Sequence, residues 1–105
     1  MLPGAASERA DRELVVFEIQ NCTPCLLFRR DIVQPYFESD RGNALPMQVV
    51  DYDLLGTAGR GLRQPIETLP TTVIMERGRE IGRVTGNPGT GRFMLLIDGL
   101  IADLS

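Results

Sequence analysis

The chain has 105 residues, 43% of them hydrophobic, and a formal net charge of −3, which suits one domain with a modest core. Its basic residues are scattered and do not alternate with aromatic residues, so the composition argues against nucleic-acid binding. The charged stretches Arg29–Asp31 and Glu76–Arg83 are expected to be solvated faces. No apolar run approaches the roughly 20 residues that a membrane-spanning helix needs. The absence of histidine removes the usual general base and the commonest metal ligand.

Residues 1–12 are small, polar and charged, so we predict a flexible N-terminal segment followed by a folded domain over residues 13–105. The segment does not combine a basic start with an apolar stretch, so it is not an intact signal peptide. A cytoplasmic protein and a periplasmic protein whose export signal has been removed both fit these residues.

Hydrophobic runs and periodicity predict the element order β-α-β-(α)-β-β-α. The predicted strands are Leu14–Ile19, Pro46–Tyr52, Thr71–Glu76 and Glu80–Thr85, and the predicted helices are Leu26–Gln34, a weak one at Thr57–Arg63, and Thr90–Leu104. Pro35 is expected to kink or end the first helix, and Gly78 to take a positive φ in the last hairpin. A right-handed crossover makes the first two strands parallel. The sequence therefore predicts an α/β fold, with a mixed sheet of about four strands flanked by helices.

The two cysteines of the chain lie in Cys22-Thr23-Pro24-Cys25, where the first strand gives way to the first helix. Unpaired N–H groups and the positive end of the helix dipole favour an anion there, so the pKa of a thiol at this position is lowered. Pro24 is tolerated in the first turn because its missing N–H would have no partner. Cys22, nearer the turn, is the predicted nucleophile, and Cys25 is predicted to attack the mixed disulfide at Cys22 and release the partner.

Two other uses of the cysteine pair compete with redox exchange. A zinc site needs four ligands, and the chain has no histidine and no third cysteine, so no metal site is predicted, although Cu(I) accepts two soft thiolates. A purely structural disulfide would close a very short loop and gain little stability. We therefore favour a redox-active disulfide that uses no separate cofactor.

Other features follow the cysteine motif at set intervals. Leu69-Pro70-Thr71 precedes an apolar strand, Gly78 lies eight residues after Pro70, and Gly86 lies eight residues further on. With the terminal amphipathic helix, these residues resemble the thioredoxin superfamily over roughly Glu13 to the end. The resemblance implies a thioredoxin-like fold, a thiol–disulfide oxidoreductase and a cis peptide bond before Pro70. It also implies a binding site for a protein substrate, with Thr23, Pro24, Leu69, Pro70, Thr85 and Gly86 as candidates.

A narrower resemblance involves the segment Val73–Gly89, and Glu18 four residues before Cys22. These are similar to the small periplasmic thioredoxins encoded with bacterial sulfur-oxidation (Sox) systems. The similarity implies a periplasmic protein that reduces a disulfide or thiol adduct on a sulfur-carrier partner. It implies further that electrons arrive through a membrane thiol transporter. We expect the protein to be a monomer.

The sequence departs from common thioredoxins around the cysteines. Asn21 and Thr23 stand where those proteins carry Trp and Gly, and Val16 stands where they carry a buried acid. Because side chains alternate along a strand, Glu18 shares a face with Val16, and we predict that it replaces the acid as proton acceptor for Cys25. A solvated carboxylate at the end of a strand is the competing interpretation of Glu18.

Two rival functions remain. A glutaredoxin-like protein is indicated by Thr68-Leu69-Pro70, which resembles that family's Thr-Val-Pro. Against it, no basic residue lies just before the cysteine motif to bind the glutathione carboxylates. A non-catalytic module with the same fold would use the cysteines only to carry metal or to dock a partner. Glutathione-dependent turnover or stoichiometric copper retention would favour these alternatives.

Overall fold

A computed structural model describes residues 11–55 and 61–103 of the chain. Its centre is a sheet of four strands, β1 (Arg12–Glu18), β2 (Met47–Asp51), β3 (Thr71–Glu76) and β4 (Arg79–Thr85). Their order across the sheet is β2-β1-β3-β4. Strand β1 is parallel to β2 and antiparallel to β3, and β4 is antiparallel to β3 at one edge. The predicted mixed sheet and the parallel pairing of the first two strands are confirmed.

Helices cover the sheet. They are α1 (Thr23–Phe28), a π-helical turn (Arg29–Val33) that continues into α2 (Gln34–Phe37), α3 (Arg41–Ala44), α4 (Tyr52–Leu55) and α5 (Thr90–Asp103). Within the described ranges, none of them is both long enough and apolar enough to cross a membrane.

Strand β1 is buried on both faces, which explains its unbroken apolar run. Leu14 and Val16 pack into one cluster and Val15 and Phe17 into the other. In the first cluster, α1, the π-helical turn and α5 pack against the strand through Phe28, Ile32, Phe93 and Ile97. The second receives Val50, Ile66 and Val73. Because both faces are filled, the carboxyl end of β1, from which the cysteine motif starts, is held firmly in place.

Pro35 does not end the first helical segment. The N–H of Gln34 donates to the carbonyl of Arg29, five residues back, so the chain widens into a π-helical turn just before the proline. A proline has no N–H and crowds the preceding turn of an ordinary α-helix, and a single wide turn absorbs that irregularity. The helix then continues to bring Tyr36 into the core, where its hydroxyl donates to the Leu45 carbonyl.

The weak helix predicted at Thr57–Arg63 is not seen where the structure can test it. Residues 56–60 lie outside the described residues, and residues 61–63 are not helical. Gly61 instead packs against the β3–β4 hairpin, where a Cβ would lie 1.9 Å from the Gly78 carbonyl oxygen. Its own carbonyl accepts a 3.0 Å hydrogen bond from the N–H of Glu80. This tertiary contact explains why residues 61–63 are not helical.

The described chain begins against the same hairpin. Strand β1 starts at Arg12, one residue before the predicted domain boundary, and Arg12 is ion-paired with Glu76 at 2.7 Å. The Asp11 carbonyl accepts from the N–H of Arg77. Gly78 has φ 81°, so its predicted positive φ is confirmed. The rest of the predicted flexible segment lies outside the described residues, and its flexibility stays a prediction.

Candidate active site

The cysteine motif forms the start of α1. Cys22 is the N-cap residue, with extended φ and ψ of −114° and 106°, and Pro24 lies in the first turn. Asn21 precedes it with φ 60°, a left-handed conformation that asparagine tolerates better than most residues. Cys22 and Cys25 form a disulfide with their Cα atoms 5.2 Å apart. The N–H of Cys25 donates to Cys22 Sγ at 3.1 Å, so the helix N-terminus is directed at this sulfur.

The two sulfurs differ in accessibility. Cys22 is partly exposed, whereas Cys25 is only 3% exposed. A hydrogen bond and a helix N-terminus at Cys22 both stabilise a negative charge there once the disulfide is reduced. An accessible, stabilised thiolate is suited to attack, and a protected thiol one turn away is suited to a second, intramolecular step.

Two loops lie next to the cysteine motif at one end of the sheet, where β1 and β4 end and β3 begins. Phe17 at the end of β1 lies opposite Thr71 at the start of β3, and Thr71 lies opposite Thr85 at the end of β4. The loops before Thr71 and after Thr85 are therefore neighbours of the segment that leads to Cys22. The structure brings Leu69, Pro70, Thr85 and Gly86 together at this end of the sheet, next to the segment that leads to Thr23 and Pro24.

The Leu69–Pro70 peptide bond is cis, the isomer that the resemblance implies. Pro70 is buried, and its carbonyl accepts a 2.7 Å hydrogen bond from the N–H of Gly86. Gly86 has φ 76°, and nothing lies within 4 Å of where a Cβ would be. The hydrogen bond thus joins the loop before Thr71 to the loop after Thr85. The second of these loops leaves open space beside Gly86.

Glu18 ends β1 beside the cysteine motif, with its side chain 15% exposed. Its carboxylate forms an ion pair with Arg29 of the π-helical turn. The register of β1 and β2 sets it next to Asp51. Arg29 is exposed, as expected of a solvated face, but the π-helical turn also directs its guanidinium back to the end of β1.

Val16, at the position of the missing acid, is fully buried. In register it lies between Val49 on β2 and Thr72 on β3, and Thr72 lies opposite Val84 on β4. Thr72 is also fully buried, and within the described part of the chain its Oγ1 is the buried side-chain atom that lacks a hydrogen-bond partner. No sequence pattern singles out this threonine, because threonine is an ordinary residue of apolar strands.

A buried ion pair supports the loop that leads to Pro70. Glu80 is 5% exposed and pairs with Arg83 at 2.7 Å, so the prediction that both are solvated is wrong. The register shifts by one residue here: Met75 lies opposite Glu80 and Val73 opposite Arg83. The bulge brings both charged side chains to one face. Burial by itself raises the pKa of Glu80, but hydrogen bonds from Arg83 and the Arg63 N–H outweigh it and lower the net pKa.

Arg83 also donates to the carbonyls of Gln64 and Pro65, at 2.9 and 3.1 Å. It thereby ties the chain before the cis-proline loop to β4. A cleft of about 160 Å³ opens beside this contact, between Thr68 on one side and Thr85 on the other. Among the described residues there is no group of three or more Cys, Asp or Glu side chains that would hold a metal ion.

A disulfide across the first turn of a helix, with one accessible and one protected sulfur, is the arrangement by which proteins exchange disulfides with a partner. The chain is a thiol–disulfide oxidoreductase whose redox group is its own cysteine pair.

Comparison with known proteins gives the family. No protein-family model and no curated protein sequence matches the chain. Solved structures do: periplasmic thioredoxin SoxS from Paracoccus pantotrophus has a TM-score of 0.79 and 30% identity, covering 90% of this chain and 99% of its own. A poplar thioredoxin h (TM-score 0.66, 22% identity, 93% and 83% covered) and Fasciola hepatica thioredoxin (0.64, 19%, 89% and 84%) share the fold. The chain belongs to the thioredoxin superfamily.

Proposed function

We propose that Cys22 is the attacking residue and Cys25 the resolving residue in the reduction of a protein disulfide. Cys22 thiolate attacks one sulfur of the partner disulfide, and the other partner sulfur leaves as a thiolate. The Cys25 thiolate then attacks Cys22 Sγ, which forms the Cys22–Cys25 disulfide and releases the second partner thiol. The observation that carries this assignment is the difference in exposure between the sulfurs, together with the N–H of Cys25 at Cys22 Sγ.

Trapping the mixed disulfide tests the order of attack. In Cys25→Ser the second step is removed, so the partner is expected to stay covalently bound to Cys22. Cys22→Ser is the matched control, since it keeps a thiol of the same motif but one that is buried. Non-reducing electrophoresis with a disulfide-containing protein substrate measures the adduct. Trapping only by Cys22→Ser would reverse the assignment. Equal trapping by both variants would contradict it.

The substrate is proposed to lie as an extended segment across Thr23, Pro24, Leu69, Pro70, Thr85 and Gly86. The position of the two loops at the same end of the sheet and the hydrogen bond from Gly86 to Pro70 support this placement. The resemblance to thioredoxins implies that the Leu69 backbone pairs with the segment, and the open space at Gly86 lets the segment approach closely.

We propose that the physiological partner is a sulfur-carrier protein with a cysteine disulfide or thiol adduct, in the periplasm, and that a membrane thiol transporter supplies the electrons. The resemblance of Val73–Gly89 to thioredoxins of Sox systems supports this. The match to periplasmic thioredoxin SoxS at 30% identity supports it as well. A cytoplasmic thioredoxin acting on other disulfides is the alternative.

The reduction potential of the Cys22–Cys25 couple tests the direction of transfer. Equilibration with dithiothreitol and glutathione buffers is expected to give a value near thioredoxin's, about −270 mV. A value near about −120 mV would make the protein an oxidant and would remove the proposed reduction of a carrier. Glutathione-dependent turnover in the same buffers would instead support a glutaredoxin-like activity.

Glu18 is proposed to accept the proton of Cys25. Its position beside the motif and its partial burial support the role. The competing interpretation, a carboxylate that only holds Arg29, has the ion pair in its favour. Glu18→Gln separates them: loss of a proton acceptor slows release of the mixed disulfide most at neutral and lower pH, whereas Arg29→Gln leaves that pH profile in place. Parallel pH profiles for all three proteins would exclude the proton-transfer role.

A further inference from the structure

Thr72 is a threonine in a row of valines across the sheet, on the face that α1 covers. We propose that its hydroxyl donates a hydrogen bond to the Cys25 sulfur in the reduced protein and stabilises the thiolate that resolves the mixed disulfide. The proposal deepens the exchange reaction described above and assigns Thr72 as a positioning residue for Cys25.

The first observation is the unsatisfied hydroxyl itself. Thr72 is fully buried, and its Oγ1 has no hydrogen-bond partner in the described part of the chain. Burying such a group costs stability. Its neighbours across the sheet, Val16 and Val84, have nearly the same shape without the hydroxyl. A third valine would fill this site at lower cost, so packing alone does not explain the threonine.

The second observation is the face on which Thr72 lies. Residues opposite each other in an antiparallel pair share a face, so Thr72 points the same way as Val16. That face is covered by α1, because Val16 belongs to the same buried cluster as Phe28. Thr72 therefore points toward the helix that carries Cys25.

The third observation is the side of α1 on which Cys25 lies. Cys25 and Phe28 are three residues apart on one side of α1, and both are buried. Phe28 packs in the same buried cluster as Val16, the residue opposite Thr72. Cys25 is therefore on the side of α1 that faces the sheet, and in the disulfide it accepts no hydrogen bond from Thr72.

The redox state decides whether the hydroxyl has an acceptor. In the disulfide, Cys25 Sγ is bonded to Cys22 Sγ, and a divalent sulfur is a weak acceptor. Reduction breaks that bond and adds two electrons, so Cys25 becomes a thiol or a thiolate. The thiolate accepts a strong, charge-assisted hydrogen bond. Thr72 keeps its own proton throughout; the proton of Cys25 leaves to a separate base or to solvent.

The experiment measures the ionisation of Cys25 directly. In a Cys22→Ser background the chain has a single thiol, and its thiolate absorbance against pH reports Cys25 alone. Thr72→Val is expected to raise the pKa of Cys25 by about one unit, a tenfold loss of thiolate at fixed pH below the pKa. Thr72→Ser keeps the hydroxyl and is expected to leave that pKa nearly unchanged.

Thermal unfolding of the oxidised protein measures stability, which Thr72→Val is expected to improve even though it impairs the ionisation of Cys25. Thr72→Val removes an unsatisfied hydroxyl and is expected to raise Tm, whereas Thr72→Ser removes a buried methyl and is expected to lower it. A residue that matters only for packing would change stability and leave Cys25 ionisation unaffected. With both cysteines present, Thr72→Val is expected to resolve a mixed disulfide about three- to fourfold more slowly at fixed pH, because the higher nucleophilicity of a more basic thiolate offsets part of the tenfold loss of thiolate.

Equal pKa values of Cys25 in the valine and serine variants would overturn the proposal. If the valine variant did not fold, Thr72→Ala against Thr72→Ser differs chiefly by the hydroxyl and gives the same comparison. The titration needs no partner protein. The titration of Cys25 would therefore stay interpretable if the proposed reductase activity failed. A failure of the Thr72 proposal would appear in the titration and not in the trapping or potential measurements.

Discussion

Replacing Glu80 with glutamine tests the buried ion pair that supports the cis-proline loop. The side chains of Glu80 and Arg83 are 3% and 14% exposed, so solvent screens their interaction little. Glutamine keeps an oxygen for the Arg63 N–H, which donates to Glu80 at 2.9 Å, but it leaves the Arg83 guanidinium without its charge partner. Removing one member of a buried pair costs about 3–5 kcal/mol, and the retained acceptor places this variant near the lower end of that range.

The loss should depend on pH with a defined sign. The folded protein lowers the pKa of Glu80 below its ordinary value of 4.5. Such a group contributes stability that is fully present above the unfolded pKa and is lost as the pH falls through the folded pKa. The difference between wild type and Glu80→Gln is therefore complete at neutral pH. It shrinks only as the pH falls below about 4.5.

Urea unfolding followed by far-ultraviolet circular dichroism, at neutral pH and in steps below pH 4.5, measures both effects. Glu76→Gln is the matched control, because Glu76 and its partner Arg12 are each 33% exposed and such pairs contribute about 0–1 kcal/mol. Equal losses in the two glutamine variants would refute the argument that burial makes the Glu80 pair important. So would a Glu80→Gln loss that stays constant down to the lowest pH at which wild type folds.

Three further changes test the packing and the rim of the site. Phe28→Ala removes a fully buried ring that packs edge to face on Phe93, with the ring centroids 5.4 Å apart. It is expected to cost about 3–5 kcal/mol in urea unfolding. Tyr36→Phe leaves the Leu45 carbonyl without its donor and is expected to cost about 1 kcal/mol. Burial raises the pKa of Tyr36 above its ordinary value of 10.0, so an absorbance titration of this variant should lose a tyrosine step that lies above that value. Gly86→Val forces a β-branched residue to φ 76° at the open rim and is expected to slow reduction of a protein disulfide more than reaction with dithiothreitol. Equal slowing in both assays would remove Gly86 from the binding site.

The cysteine site was predictable because its chemistry is local. A strand, a turn and a helix start are visible in about a dozen consecutive residues, and a thiol at a helix N-terminus has the same electrostatic environment in any fold. The cis-proline loop was predictable only by resemblance, since nothing in Leu69-Pro70 itself selects the minor isomer. Glu80 and Arg83 were assigned wrongly because the bulge that puts them on one face depends on how β4 pairs with β3.

Local patterns in the sequence were sufficient to predict the order of the four strands along the chain, the buried central strand and the redox pair, because each depends on neighbouring residues and on periodicity. Which charges pair across the fold and which polar groups are buried depends on the tertiary structure. Arg29 is directed to Glu18 by a π-helical turn, and Glu80 is brought beside Arg83 by a shifted register. Thr72 lies on the face that α1 covers because β3 pairs with β1 in one particular alignment. Burial and charge pairing follow from contacts between residues far apart in the chain, and no local pattern encodes them.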